Sequence, residues 1–342
     1  QPPGLPPVAT VPSPAPTDAP PPPPPPTPPP IAPTPPTEPA LSIAEAFERA
    51  TRRRSHAARA SRHVLILFSG PYERPDGLAA FIRRLGLEVT LVDNDAKRGN
   101  AKDDIANDAF YQALLERAQA GEFLAVIAAP PCSTFSISRF IPHPSSPDGR
   151  GPPIVRNKNH PEGLPDVPAK HRRELRHANR LVQRMTYIVG AAYAAGSEYI
   201  IENPPHRGDA SLDYLFMHAQ HAALWQMPII KTLIDATSAK LITFAQCMFG
   251  ADSQKYTSFL HSSGFESSIG GLHGLLCSHA TGTHKATAGG FRGPDGVWNS
   301  QGAAAFPADL NLYLAHAVLS LITNETVELP TSPADAERPE RV

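Results

Sequence analysis

Apolar positions in this chain gather into short continuous runs that alternate with longer stretches of helical spacing, all downstream of residue 60. A continuous apolar run bounded by turn residues predicts a strand buried on both faces, whereas apolar residues recurring every three or four positions predict a helix. A first strand, Val64 to Phe68, therefore ends at Ser69-Gly70-Pro71, a helix follows over Gly77 to Leu85, and a second strand, Glu88 to Val92, ends in Asp93. A helix at Asp108 to Ala118 leads to a third strand, Phe123 to Ala128, which stops at Pro130-Pro131-Cys132-Ser133. The polar, proline-punctuated segment from Pro142 to Pro168 is too long for a mere connector. Beyond it Leu175, Leu181, Val182, Met185, Ile188 and Val189 mark one face of a long helix over Arg172 to Ala195. That helix feeds a strand, Tyr199 to Ile201, and then Glu202-Asn203-Pro204-Pro205. Two more strands are expected near Ile242 to Ala245 and Thr257 to His261, and a last helix over Pro307 to Ile322, while Gly264 to Ser300 reads as irregular.

Strands alternating with helices set the fold class as α/β, a doubly wound and mostly parallel sheet of Rossmann-like type. In such sheets ligands bind beyond the carboxyl ends of the strands, near the switch in strand order. Ser69-Gly70, Asp93, Pro130 to Ser133 and Glu202-Asn203 all stand at such ends.

Composition changes the picture at the two ends of the chain. The first forty residues hold 21 of the 41 prolines, so residues 1–58 are expected to be a disordered proline-rich arm and basic linker. Its run from Pro20 to Pro30 suits extended polyproline II and a proline-motif-binding partner. Residues 326–342 are expected to be a disordered tail, leaving one domain over 59–325 with a reduced insert at 264–300. The charges nearly cancel, 31 basic against 32 acidic, which excludes a global basic field. Any nucleic-acid contact must then be local, through Arg52 to Arg62 or Lys170 to Arg184, each equally readable as a solvated helix face. Three cysteines exclude a disulfide framework. With no signal peptide and no apolar run near the ~20 residues of a membrane span, a protein away from membranes is expected, in an intracellular, reducing compartment, the nucleus if the host is eukaryotic; a monomer is expected as well.

Candidate chemistry lies at the strand ends. Phe68-Ser69-Gly70 exposes backbone N–H groups after a buried strand, and Asp93 adds a carboxylate suited to ribose hydroxyls. The turn lacks a three-glycine dinucleotide pattern and a phosphate-binding lysine, which favours a non-phosphorylated adenosyl cofactor over NAD or ATP. Cys132, held by two prolines at a strand end, stands where a nucleophile would, although an inert core thiol is the commoner role of a lone cysteine. Glu202 ends a buried strand, where a carboxylate either hydrogen-bonds a ligand or caps the next helix.

These motifs, Phe68-Ser69-Gly70, Pro130-Pro131-Cys132-Ser133 and Glu202-Asn203-Pro204, resemble in order and interval the cofactor turn, nucleophile loop and glutamate motif of the cytosine-C5 DNA methyltransferases. The likeness covers about Val64 to Ile322, and the pattern looks more like compact, divergent phage or mobile-element members than like restriction-linked enzymes. It implies the methyltransferase version of the Rossmann-like fold, S-adenosyl-L-methionine as cofactor, and DNA, ahead of RNA, as the nucleic-acid partner. It further implies that Cys132 adds to cytosine C6, that Glu202 holds N3, and that C5 takes the methyl group of a base flipped out of its stack. By the same resemblance Phe68, Ser69 and Gly70 line the methionine side, Asp93 and Asn94 the ribose and adenine, Asp104 and Ile105 the adenine edge, and Pro130 the cofactor floor.

The chain also departs from that family. Its first turn reads Ser-Gly-Pro where a second glycine is usual, Asp103 replaces another glycine, and the Gln-x-Arg-x-Arg strand is missing, with Gln246-Cys247 or Gln254-Lys255 as stand-ins. Alternatives are an RNA cytosine-C5 methyltransferase, a catalytically inactive nucleic-acid-binding domain of a mobile element, and an amino-methyltransferase. The last is half-matched by Asn203-Pro204-Pro205-His206 but leaves Pro131-Cys132-Ser133 unexplained. Cys247, Cys277, His279 and His284 are the residue types of a tetrahedral zinc site. With 29 residues between the cysteines and one between Cys277 and His279, their spacing matches no zinc motif, and no metal ligand is assigned.

Overall fold

The computed structural model describes residues 57–95, 99–141, 152–280, 282–285, 305–323 and 327. The proline-rich arm, the basic stretch up to residue 56, part of the 264–300 segment and nearly all of the tail lie outside the described residues. Six strands form one sheet among them: β1 (His63–Leu67), β2 (Glu88–Val92), β3 (Ala125–Ala128), β4 (Glu198–Asn203), β5 (Lys240–Ala245) and β6 (Tyr256–His261), in the order β2-β1-β3-β4-β6-β5. β1 to β4 pair in parallel, and β6 runs antiparallel to both β4 and β5. The fold is thus α/β with a mostly parallel sheet, as the alternation of elements predicts.

Period-two geometry accounts for the continuous apolar runs. Leu65 and Leu67 of β1 and Val126 and Ala128 of β3 enter one core layer, while Val64, Ile66, Ala125 and Ile127 enter the other. Helices α2 (Asp108–Gln119), α3 (Ala169–Ala194) and α4 (Pro228–Thr237) cover the first face. The second is covered by α1 (Leu78–Arg84) and α5 (Ala308–Thr323). Strand ends are level, since Leu67 lies opposite both Val92 and Ala128, and Ala128 opposite Ile201. Order reverses at β1, which opens a crevice beyond its carboxyl end.

Three details differ from the sequence expectation. β4 continues through Glu202 and Asn203, because β6 supplies the partners Phe259 and Ser258. No element is predicted between Pro205 and Leu241, yet α4 forms there, with Pro228 at its first position and Ser238 closing it in the left-handed region. The near-continuous apolar run from Leu224 to Ile230 hides its period. The segment after Gly264 is not wholly irregular: helical turns over Ser263–Leu272 bury Phe265, Ile269 and Leu272 completely in the second core layer. No helix among the described residues is long and apolar enough to cross a membrane.

Candidate active site

The carboxyl ends of β1 to β4 open on a cavity of about 700 Å³, within the range typical of small-molecule sites. Phe68, Ser69, Gly70, Asp93, Asn94, Asp104, Ile105, Pro130, Cys132 and Glu202 all line it. These ten candidates are therefore brought to one place, joined by Lys255 of the Gln254-Lys255 stand-in, while Gln246, Cys247 and Gln254 do not line the cavity.

The first wall is the turn after β1. Phe68 (φ 60°) and Gly70 (φ 69°) both occupy the left-handed region, which a phenylalanine adopts only when its surroundings hold it there. Two anchors do so: Phe68 N and Ser69 N donate to Val92 O at 2.7 and 3.3 Å. Gly70 N donates to Asp93 Oδ2 at 2.8 Å and Asp95 N to Asp93 Oδ1 at 2.9 Å, so the carboxylate locks the turn. An ionised carboxylate offers about four acceptor sites, which leaves capacity for ligand hydroxyls. Tyr72, which no sequence motif marks, donates its hydroxyl to Asp103 Oδ2 at 2.7 Å and accepts the Asp93 N–H at 3.0 Å. Burial, reinforced by the bond to Asp103, raises the phenol well above its ordinary range, so it stays a donor. Beyond it Asp104 Oδ1 accepts from Ala106 N at 2.7 Å, and the carbonyl of the buried Ile105 accepts from Arg184 Nη1 at 2.7 Å.

Opposite lies the loop after β3, which three buried basic side chains hold. Arg139 donates to Ser133 O and Pro153 O, both at 2.7 Å, and pairs with Glu174 at 2.6 Å. Arg156, 1% exposed, donates to Thr134 Oγ1 at 2.7 Å and lies over the Phe135 ring, 3.9 Å from its centroid. Burial, with Arg139 nearby, pulls its guanidinium down to about 9. His221 Nε2 lies 2.8 Å from Phe135 O, while its Nδ1 accepts Arg207 N at 3.0 Å, a pair of contacts that defines a neutral ring donating through Nε2. Burial pushes this histidine down to about 4. Sequence reading could not find these residues, because nothing local marks a basic side chain for burial.

Cys132 itself is reached by solvent through the cavity, although protein atoms crowd it. Burial first, and then the Glu202 carboxylate, push its thiol above the ordinary range, with Lys255 acting in the opposite sense. Glu202 is 8% exposed. Its Oε1 accepts the Thr257 hydroxyl from β6 and lies 3.9 Å from Lys255 Nζ. Asn203 Nδ2 donates to Pro130 O at 3.0 Å, tying the end of β4 to the loop after β3. At the cavity rim α3 contributes Glu174 and His177, and its Arg173 and Arg176 are exposed. Arg180 and Arg184 of the same basic stretch pair with Asp108, so those two serve the fold.

The class these features define is an α/β protein with a nucleotide-sized cavity at the carboxyl ends of a mostly parallel sheet, walled by a turn-locking carboxylate and floored by a cysteine. No protein-family model and no curated protein matches the chain. Solved structures with some likeness include Entamoeba histolytica methyltransferase EhMeth, at 13% identity over 59% of this chain and 52% of that one, TM-score 0.31. Others are a prophage-encoded E. coli protein assigned as a DNA modification methyltransferase (14%, 58% and 45%, TM-score 0.30) and S. pombe Dnmt2 methyltransferase (9%, 58% and 48%, TM-score 0.29). The chain spans about half the length of each, and at these TM-scores none carries a family assignment.

Proposed function

We propose that this chain transfers a methyl group from S-adenosyl-L-methionine to cytosine C5 in DNA, with Cys132 as nucleophile and Glu202 as its partner on the base. The observation that carries the reading is the meeting of Cys132, Glu202, the Phe68-Ser69-Gly70 turn and Asp93 in one cavity. The cavity fits the cofactor in kind: Asp93 keeps acceptor capacity for ribose hydroxyls, a side chain at Gly70 would meet nothing within 4 Å, so space stands open beside the turn, and Ile105 and Pro130 supply apolar surface. In this reading Phe68, Ser69 and Gly70 hold the methionine end, Asp93 and Asn94 the ribose and adenine, Asp104 and Ile105 the adenine edge, and Pro130 the floor. When bound, the cofactor supplies an electrophilic methyl group.

The chain's own residues do the rest. The Cys132 thiol releases its proton to solvent and the sulfur adds to C6 of a base swung into the cavity. Glu202 takes up a proton from solvent as the base enters and donates it to N3, so that the ring electron pair becomes available at C5. Once C5 carries the methyl group, water takes the C5 proton, the C6–S bond breaks to release the thiolate and restore the ring, and N3 returns its proton to Glu202. Because burial and Glu202 hold the resting thiol protonated, Lys255 is the cation that eases its ionisation. Exposed Arg173 and Arg176 beside the rim are the local contact to phosphates.

Incubation with S-adenosyl-L-methionine and DNA or RNA containing 5-fluorocytosine tests this directly, because fluorine cannot leave as a proton does. A denaturation-resistant adduct with DNA is expected from the wild type and none from Cys132→Ala. Equal trapping of Cys132→Ala sinks the nucleophile assignment. Trapping on RNA alone moves the substrate to RNA, and no trapping on either polymer favours an inactive binding domain.

A further inference from the structure

We propose that Cys247, Cys277, His279 and His284 bind one zinc ion that fastens the antiparallel edge of the sheet. This goes beyond the methyltransferase reading and does not rest on it. The four ligand atoms lie within 4.8 Å of one another, although their spacing along the chain matches no zinc motif. Cys277 Sγ is 3.5 Å from His279 Nδ1 and 3.5 Å from His284 Nε2. Zinc bonds of about 2.3 Å to sulfur and about 2.05 Å to nitrogen at tetrahedral angles place such sulfur–nitrogen edges about 3.6 Å apart. Those two observed edges match a coordination tetrahedron, and the remaining atoms lie near enough to close on a shared ion. Two thiolates and two neutral imidazoles are a donor set that zinc favours, and four protein ligands close its sphere, which makes the site structural.

The topology gives the metal something to do. Cys247 is buried in the turn after β5, while the other three ligands come from a segment that is neither helix nor strand. That segment covers the outer edge of β5 through Gly274 N to Thr243 O at 3.1 Å, Thr243 N to His273 Nδ1 at 3.3 Å and Ala245 N to Leu275 O at 2.9 Å, then Cys277 N to the Tyr256 hydroxyl at 3.1 Å. Leu276 is 41% exposed, and Leu275 and Cys277 are only partly buried against the second core layer. A metal cross-link supplies a further attachment, and each zinc taken up displaces one proton from each thiol to solvent. It also fixes the turn beside the cavity, since Gln246 N donates to Lys255 O at 2.8 Å and Lys255 stands next to Glu202.

The test is metal content of the full chain purified in reducing buffer, with folding followed by circular dichroism. One zinc per chain is expected for the wild type and for Cys132→Ala, and background for the doubly substituted Cys277→Ser/His284→Ala. Should that double variant fail to fold, cobalt titration of chelator-treated wild type replaces it. Intense visible d–d bands and a thiolate-to-cobalt charge-transfer band, both quenched by one equivalent of zinc, are expected. Folded wild type without zinc and without those bands overturns the proposal. So does a folded double variant that keeps its zinc, or a Cys132→Ala protein that loses it. None of these readouts depends on methyl transfer, so the two proposals fail separately.

Discussion

The parallel half of the sheet and its antiparallel edge meet at β4, and they contribute to the cavity by different means. β1, β2 and β3 contribute through their ends: each strand stops at a turn, and the turn itself supplies the backbone N–H groups, the carboxylate of Asp93 or the thiol of Cys132. β6 and the turn before it contribute through side chains that reach across from the neighbouring strand of the same sheet, Thr257 and Lys255 onto Glu202. In the first case position along a strand decides function. In the second, register and packing decide it. Five substitutions would break or sharpen that contrast.

The largest effect is expected in the parallel half. Cys132→Ala should abolish methyl transfer while calorimetric affinity for S-adenosyl-L-methionine is unchanged, because the thiol acts after the cofactor is in place. Retained transfer would remove the chemistry from the loop after β3.

Glu202→Gln comes next, with kcat falling roughly 10²–10⁴-fold, as for other proton-transfer partners. Thr257→Val removes the hydroxyl that the edge lends to Glu202 and should cost about tenfold, near 1.4 kcal/mol. If the Thr257 variant loses as much as Glu202→Gln, the edge is a full partner in catalysis and the contrast fails.

A third test concerns what holds the loop after β3. His221 is pushed down to about 4 from a usual 6.5, so between those values the unfolded chain binds a proton that the folded one does not. Stability is then full above pH 6.5 and falls by about 3 kcal/mol as pH drops towards 4, since the state that binds more protons gains on acidification. Denaturant titrations across that window should show this slope in the wild type and a shallower one in His221→Gln. Equal slopes would mean that the ring titrates freely.

Smallest is Asp93→Ala, expected to weaken cofactor binding about tenfold, ~1.4 kcal/mol. Unchanged affinity by calorimetry would place the cofactor elsewhere than the turn after β1.

Much of the site was legible because strand ends are legible. A continuous apolar run followed by Ser69-Gly70, by Asp93 or by Pro130-Pro131-Cys132 announces both the strand and the residue left at its mouth, and a parallel sheet levels those mouths with no further instruction. What stayed hidden was of another kind. Tyr72, Arg139, Arg156 and His221 are ordinary polar residues until burial fixes their partners, and α4 sits in an apolar stretch whose period is masked.

By itself the sequence determined the strand and helix alternation, the mostly parallel sheet and the set of residues at its carboxyl ends, since these follow from hydrophobic periodicity and turn chemistry within a few residues. Only the tertiary structure decided that β4 extends through Glu202 against β6, that Lys255 and Thr257 reach that carboxylate, and that Cys247 meets Cys277, His279 and His284. Those meetings join segments tens of residues apart, and no local pattern encodes them, because they depend on which strand edge the returning chain covers.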